Sequence, residues 1–411
     1  INRVLTDIIG KLAWFDFAEF VTKPEYVVDY LKNFYQETFP KRLRHDLGEF
    51  YTPDWLARYL VEQAGYDGDA RKRVLDPACG SGTFLVAILH KVREKHRGGR
   101  FSKKLVADIT HNIVGFDINP VAVLTARTNY LISLATFKFQ MTRITIPIYL
   151  TDSVVLPKLE SQRTLVDTTE LYKIVTTKGT FSVPSRVRDS VALTMKIIRE
   201  GIENDQDVSN VKKQLRDRFG FSPSVLNHIA ALYSQIQDLD AIGENRIWCD
   251  IITNQFAGLF LKKFDFVLGN PPWVNWEFLD QKYREQLIKI NDEYGLYFTK
   301  GLESRLGTIR RDLSAIFFYV CADVYLNDGG TIALLLKPMY QIASGRGFRN
   351  FNRTQRDVPV TKLKTPLGVL KVEELTKENP FEIVNEVSLV IARKGRKTRY
   401  PIKYLRWTGE R

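Results

Sequence analysis

The sequence predicts an α/β fold, a doubly wound, mostly parallel sheet interrupted by a helical insertion, and three observations predict it. From about residue 46 to 157 the chain runs strand, Gly-rich turn, helix, strand, helix, strand, the rhythm of βαβ units on a parallel sheet. Residues 158–262 break that rhythm with segments of helical spacing. At Phe264 strand patterns resume and continue to about residue 392.

The elements follow in order. Residues 1–45 carry apolar side chains at helical spacing (Ile8, Leu12, Phe15, then Tyr26, Tyr30, Phe34) around Pro24 and Pro40, which predicts short helices ahead of the main domain. Strands are expected over Arg73 to Leu75, Ile113 to Phe116 and Ile146 to Leu150, with helices near 83–96 and 120–135 between them. The insertion holds helical segments over 188–202, 207–219 and 223–238. After Phe264 to Leu268, strands are expected over Thr331 to Leu336, behind the turn Asp328-Gly329-Gly330, and near 369–375 and 386–392. The domain reading is therefore an N-terminal segment or connector (1–45), a first α/β part (46–157), a helical insertion (158–262) and a second α/β part (263–411).

A chain of 411 residues, 44% hydrophobic and 12% aromatic, can bury a sizeable core. Lys and Arg number 60 against 47 Asp and Glu, a net charge of +13. From Lys337 to Arg411 there are 17 basic and 7 acidic residues, so most of the excess lies in the last fifth of the chain. A basic region of this kind suits a polyanion such as nucleic acid, and equally a solvated, solubilising face. The insertion, with 14 basic and 13 acidic residues, is a poor primary surface for DNA. Cys79, Cys249 and Cys321 are far apart and match no zinc or redox spacing, so no metal is expected, and the simplest setting is a reducing cytoplasm. No apolar run approaches the roughly 20 residues that span a bilayer. The chain begins at Ile1, without Met, and is expected to be a piece of something longer.

Chemistry concentrates in RVLDPACGSGTFLVAIL (Arg73 to Leu89): a strand ending in an acid, a turn with Gly80 and Gly82, and an immediate helix. Glycines let a backbone approach a ligand, and the helix N-terminus offers N–H groups to its anionic parts. Tight βα turns also use Gly for structural reasons alone. The spacing lacks the third glycine of a dinucleotide fingerprint and the Lys-Ser/Thr of a P-loop. Asp117 in IVGFDINP and Asp152 in IYLTDS end the next two strands. A carboxylate beyond a second strand can accept both hydroxyls of a ribose, and one beyond a third can accept an exocyclic amine. Each acid alone also suits a helix N-cap or turn. Together they describe a ligand with ribose, adenine and a charged tail.

The strand FDFVL (264–268) halts at Gly269-Asn270-Pro271-Pro272 with Trp273 behind. The prolines fix φ and remove N–H donors, leaving a stiff turn that presents acceptors.

DPACGSGTFL followed downstream by NPPW resembles the S-adenosylmethionine-dependent, amino-methylating DNA methyltransferases. GEFYTP (Gly48 to Pro53) resembles the motif before the Gly-rich loop in the gamma-order N6-adenine subgroup, which includes type I methylase subunits and fused type IIG restriction-modification enzymes. The resemblance covers about 46–157 and 264–392, and implies a Rossmann-like methyltransferase fold. It implies that Phe50, Tyr51 and Thr52 hold the methionine end of S-adenosyl-L-methionine, with Asp76, Ala78 and Gly80 lining that moiety. Asp117 with Ile118 would take the ribose side and Asp152 with Ser153 the adenine amine, while Phe317 would pack on the cofactor or serve as plain core. Thr52-Pro53 also reads as an N-cap followed by Pro at N1.

On the same resemblance Asn270, Pro271 and Pro272 form the catalytic turn. The Asn270 amide oxygen and the Pro271 carbonyl would accept from an adenine N6 amine and localise its lone pair. Trp273 would stack on a base flipped from the helix, with Phe381, in ENPFEIVNEVSLVIARK, on the same base or in the core. Trp stands where Tyr or Phe is usual in the family. Arg346, Arg349 and Arg353, in SGRGFRNFNRTQR, would reach DNA phosphates from a mobile loop or line a solvated one. The expected activity is methylation of adenine N6 in double-stranded DNA within a restriction-modification or phage-defence system. Sequence choice would come from a specificity subunit, or from covalently linked target-recognition and nuclease domains. RNA or protein glutamine are alternative substrates, and a non-catalytic cofactor-binding scaffold is the alternative role.

Overall fold

The structure is a computed structural model that describes residues 51–97, 101–135, 137, 144–163, 168–176, 178–243, 247–274, 279–296, 313–338, 347–353, 365–375, 380–381 and 386–408. The helices expected over 1–45, together with Phe50 and Arg346, lie outside them. The chain divides into two compact units, residues 1–148 with 263–411, and residues 149–262.

The first unit opens with helix α1 (Asp54–Gln63), which buries Leu56, Ala57, Leu60 and Val61. Thr52 is not its cap: the helix starts one position later, with Pro53 at the N-cap and its carbonyl accepting from Leu56 and Ala57 N–H. Strand β1 (Val74–Asp76) is buried throughout, leads into α2 (Thr83–Lys95), and is followed by α3 (Lys103–Asn112), β2 (Ile113–Asp117) and α4 (Pro120–Ala135). The sequence reading did not resolve α3, whose entry Ser102 caps by accepting from Leu105 N–H at 3.1 Å. Strand β3 (Ile148–Leu150) ends this part, and Arg127 of α4 forks the Ile148 carbonyl with two N–H bonds, at 2.6 and 3.0 Å.

The second unit corrects the expectation of a purely helical insertion. Strands β4 (Lys158–Arg163), β5 (Thr168–Thr176) and β6 (Gly179–Pro184) form an antiparallel three-stranded sheet of their own. Alternation in β5 sends Tyr172 and Ile174 inward, while Lys173 on the other face donates to Ser182 at 2.6 Å. A 3₁₀ turn (Ser185–Ser190) then leads to α5 (Val191–Glu203), α6 (Val208–Phe219), α7 (Pro223–Ala241) and α8 (Trp248–Phe260), close to three of the expected helices with one more added. Phe181, Ile198, Leu215, Ile229, Tyr233 and Phe256 centre a core belonging to this unit alone. The sequence does not mark these strands because KLESQR carries a single apolar residue, and TTELYKIVT sets Leu171 beside Tyr172 and Ile174 beside Val175, so neither shows a clean apolar-polar alternation.

Back in the first unit come β7 (Phe264–Gly269), α9 (Gln281–Tyr294), the mostly apolar α10 (Leu313–Val324), β8 (Leu326–Leu336), β9 (Leu367–Glu374), β10 (Ser388–Lys394) and β11 (Lys403–Arg406). The large sheet runs β11-β9-β10-β8-β7-β1-β2-β3. Its centre is parallel, β8 with β7, β7 with β1, and β1 with β2, while β10 is antiparallel to both β8 and β9. This is the expected α/β, Rossmann-like architecture. Strand order reverses beside β1, with β2 on one side and β7 on the other, and such a reversal opens a crevice at the carboxyl ends of the strands.

The segment Gly347 to Arg353 is core instead of a phosphate-seeking loop. Phe348, Phe351 and Arg353 are buried, and Tyr319 on α10 donates to the Phe348 carbonyl at 2.5 Å. The Arg353 guanidinium donates to the Tyr294 carbonyl at 2.6 Å and lies 4.4 Å from the Tyr319 ring centroid, so its charge is spent inside the protein. Arg353 is therefore withdrawn from the residues expected on phosphates; Arg349 is half-buried. Gly347 is needed for contact: a Cβ there would stand 1.9 Å from the Gly295 carbonyl oxygen. Gly347→Ala should cost about 3 kcal/mol or more in urea denaturation. Gly243→Ala, where φ is +78° and nothing lies within 4 Å, should cost only about 1 kcal/mol.

Candidate active site

The crevice is built from two loops that leave adjacent strands. At the end of β1, Asp76 is fully buried; its Oδ1 accepts from Ala78 N–H at 3.2 Å, and its buried Oδ2 has no hydrogen-bond partner among the described residues. The loop beyond is stitched in place by Cys79 N–H to the Phe116 carbonyl (2.8 Å), Gly82 N–H to the Cys79 carbonyl (2.8 Å) and Asn129 Nδ2 to the Ser81 carbonyl (2.9 Å). Gly80 has φ +54° and open space where a Cβ would sit, so its backbone is bare to a ligand. Gly82, φ +96°, ends the loop as the N-cap of α2, and Thr83 opens the helix.

Asp117, the last residue of β2, closes onto the same loop. Its Oδ2 accepts from Gly80 N–H at 2.8 Å and its Oδ1 from Asn119 N–H at 2.8 Å. Ile118 beside it is 64% exposed, an apolar side chain held at the surface next to an acid. Burial, above all, lifts the Asp76 carboxyl well above the usual carboxylate range; the Ala78 N–H opposes this, and the negative charge of Asp117 adds to the rise. Burial likewise raises the Cys79 thiol well above its ordinary value, so this cysteine is packing and not a nucleophile.

On the other side of β1, β7 ends at Gly269. A Cβ on Gly269 would stand 2.6 Å from Asp76 Oδ1 and 3.4 Å from Pro77 Cδ, so only glycine lets the two loops lie together. Sequence reasoning treated this residue as the place where a strand stops; its contact with the acid is visible only once β1 and β7 are paired. Asn270 follows half-buried, Pro271 is buried, and Trp273 is 3% exposed. The Trp273 indole N–H donates to the Leu335 carbonyl near the end of β8, at 3.4 Å. Phe381 meets it edge to face at 5.0 Å between ring centroids. The two rings expected to hold a base thus touch each other. A planar ring stacked between two faces needs about 7 Å, two contacts of ~3.5 Å.

The remaining expected residues are placed as follows. Thr52 is buried and Tyr51 half-buried, just before α1. Phe317 is buried on α10. Asp152 and Ser153 are buried in the second unit, where Asp152 Oδ1 accepts from Val154 N–H (2.7 Å) and Val155 N–H (2.9 Å). No group of three or more His, Cys, Asp or Glu side chains among the described residues could hold a metal ion. No described helix is long and apolar enough to cross a membrane.

Residues 29–176 match the N-6 DNA Methylase family model, and residues 111–360, more than half of the chain, match the Eco57I restriction-modification methylase model. The chain belongs to the Eco57I restriction-modification methylase family. A search of curated protein sequences finds no match. Among solved structures, an ATP-dependent type ISP restriction-modification enzyme, LlaBIII, bound to DNA, is similar over 88% of this chain and 20% of its own, at 14% identity and a TM-score of 0.46. A modification subunit of a type I restriction enzyme from Vibrio vulnificus is similar over 92% of this chain and 51% of its own (13% identity, TM-score 0.44). A class I S-adenosylmethionine-dependent methyltransferase from Listeria monocytogenes is similar over 86% and 65% (12%, 0.39). The chain thus spans about a fifth of the first of these proteins.

The Asp76 carboxyl has a testable signature. Its folded pKa lies above the unfolded one, so the native state holds a proton that the unfolded state releases, and stability falls as pH rises from the ordinary carboxylate range toward the folded value. Asp76→Asn removes that loss. Without ligand, the variant should melt above the wild type at neutral pH, with the gap closing toward pH ~3; thermal denaturation across pH is the measurement.

Proposed function

We propose that this chain is the catalytic part of an enzyme that transfers a methyl group from S-adenosyl-L-methionine to adenine N6 in double-stranded DNA, in a cytoplasmic restriction-modification or phage-defence system. The observation that carries the reading is the packing of Gly269 on Asp76, which sets the Asn-Pro-Pro-Trp turn beside the Gly-rich loop. A buried carboxylate oxygen without a partner among the described residues and a bare Gly80 fit a ligand that brings a cationic amine and polar groups to this crevice. Asp76, Ala78 and Gly80, with Tyr51 and Thr52, would hold the methionine end, and Asp117 and Ile118 the ribose side. Phe317 would back the pocket. When bound, the cofactor supplies an electrophilic methyl group.

The chain's own part is to prepare the amine. An adenine N6 lone pair is delocalised into the ring; acceptance of its hydrogens by Asn270 Oδ1 and the Pro271 carbonyl favours a tetrahedral nitrogen and turns that pair outward. Pro271 and Pro272 leave the turn no N–H to compete. No general base is required before attack, because the methylated nitrogen is acidic and sheds its proton afterwards. Trp273, fixed by burial and its bond to Leu335, offers one face for the flipped base, and Phe381 must leave its edge contact for the other face to be covered. Arg349 remains a phosphate contact in this reading. Sequence choice would come from a specificity subunit or a linked target-recognition domain.

Transfer of radiolabelled methyl groups to DNA by the full-length protein tests the reading. Asn270→Ala should lower turnover by about 10²- to 10³-fold while calorimetric binding of S-adenosylmethionine persists. Cofactor binding with no methylation of any DNA would overturn it, and a digest locating the label at a site other than adenine N6 would move the substrate.

A further inference from the structure

The edge of the sheet carries a buried acid that the proposed reaction does not use. Glu373, near the end of β9, is fully buried and gathers three partners: Lys371 Nζ at 2.5 Å, Tyr59 OH at 2.7 Å and Trp407 Nε1 at 2.9 Å. Tyr59 belongs to α1, Lys371 to β9, and Trp407 directly follows β11. Around them, Lys371 Nζ also donates to Gln63 Oε1 of α1, the Tyr59 ring meets Trp407 edge to face at 5.2 Å, and Trp55 lies 6.2 Å from Trp407. Trp407 N–H donates in turn to the Glu374 carbonyl at 3.0 Å. Partners more than 300 residues apart in sequence are thus joined at one carboxylate.

Trp55, Tyr59 and Gln63 recur every four residues and form one stripe of α1, beside the stripe of Leu56, Ala57, Leu60 and Val61 that faces the core. The helix is therefore held twice, by apolar packing and by this clasp. Apolar packing alone lets a helix slide by fractions of an ångström; hydrogen bonds to a fully buried carboxylate do not, because losing one strands a desolvated group. A buried charge is seldom the most stabilising choice, and an apolar side chain would serve the sheet better. What the clasp fixes is register: Pro53 is bonded into the first turn of α1, so Tyr51 and Thr52 move with the helix.

We propose that Glu373 and Trp407 are positioning residues for the cofactor, acting through α1 to set Tyr51 and Thr52. The proposal rests on the reading that these two residues hold the methionine end. Neither Glu373 nor Trp407 touches the reacting atoms. Their contribution is to affinity for the cofactor and not to the chemical step.

The test compares wild type with Tyr59→Phe, Trp407→Phe and Glu373→Gln in the full chain. S-adenosylmethionine affinity is measured by calorimetry, methylation kinetics at saturating DNA, and stability by urea titration. Trp407→Phe and Tyr59→Phe each remove one donor to Glu373 while leaving an aromatic ring at the position, and the urea titration reads separately what each costs in stability. Each variant should weaken cofactor binding, and raise its KM, by about tenfold, with kcat at saturating cofactor within about twofold. A lower urea midpoint with unchanged affinity would make the clasp a structural brace and overturn the proposal, as would a fall in kcat at constant affinity. A wild type that binds no S-adenosylmethionine would overturn the cofactor reading beneath it.

Discussion

A glycine lying bare against a buried carboxylate sets the geometry of the whole crevice. Parallel pairing of β7 with β1, Val74 opposite Phe266 and Leu75 opposite Val267, ends both strands at the same edge of the sheet. One step later Gly269 reaches Asp76 with no side chain between them. Any other residue would push the Asn-Pro-Pro-Trp turn off the Gly-rich loop or drive the Asp76 carboxyl out of its place. The same close approach excludes water from Asp76, and that exclusion lifts its proton affinity.

The excursion between β3 and β7 does not disturb this contact. After Ile148 the chain builds a unit with its own sheet and its own core, then returns at Lys263 to pair with β1 and β8. The entropy of closing so long a connection grows only logarithmically, by about 0.6 kcal/mol per doubling, and a connection that folds on itself costs less than a flexible one. The sheet can therefore tolerate a large insertion at this position, since Gly269, Asp76 and the Gly-rich loop all lie outside it.

The sequence made the central strands legible because they are buried on both faces and read as short apolar runs closed by acids or glycines. The Gly-rich loop and the Asn-Pro-Pro-Trp turn were legible for the same reason, as punctuation at strand ends. What the sequence hid was pairing across distance. Glu373 in KVEEL looks like an ordinary surface acid, and nothing local announces that Tyr59 and Trp407 will come to it. SGRGFRNFNRTQR misled through composition: its charge suggested phosphate or solvent, whereas over Gly347 to Arg353 Phe348 packs on Phe318 and Tyr319 of α10, Phe351 packs on Phe348, and Arg353 is carried inside. The three strands of the second unit were lost because two of them lack the alternation that marks a half-buried strand.

Two groups of the crevice are already engaged by the protein itself. Gly80 N–H is taken by Asp117, and the Trp273 ring by the edge of Phe381. The first contact is compatible with occupancy, since a carboxylate that accepts from the loop keeps lone pairs for ribose hydroxyls. The second is not, for rings 5.0 Å apart leave no room for a base between their faces. An aromatic pair of this kind is worth about 0.5–1.5 kcal/mol beyond its buried area, a small sum beside the stacking a flipped base would regain. Of the two rings, Trp273 is held by its bond to β8 and by near-complete burial, whereas Phe381 is half-buried. On the proposed reading, in which a flipped base stacks on Trp273, this asymmetry assigns the motion to Phe381 and leaves Trp273 as the fixed face.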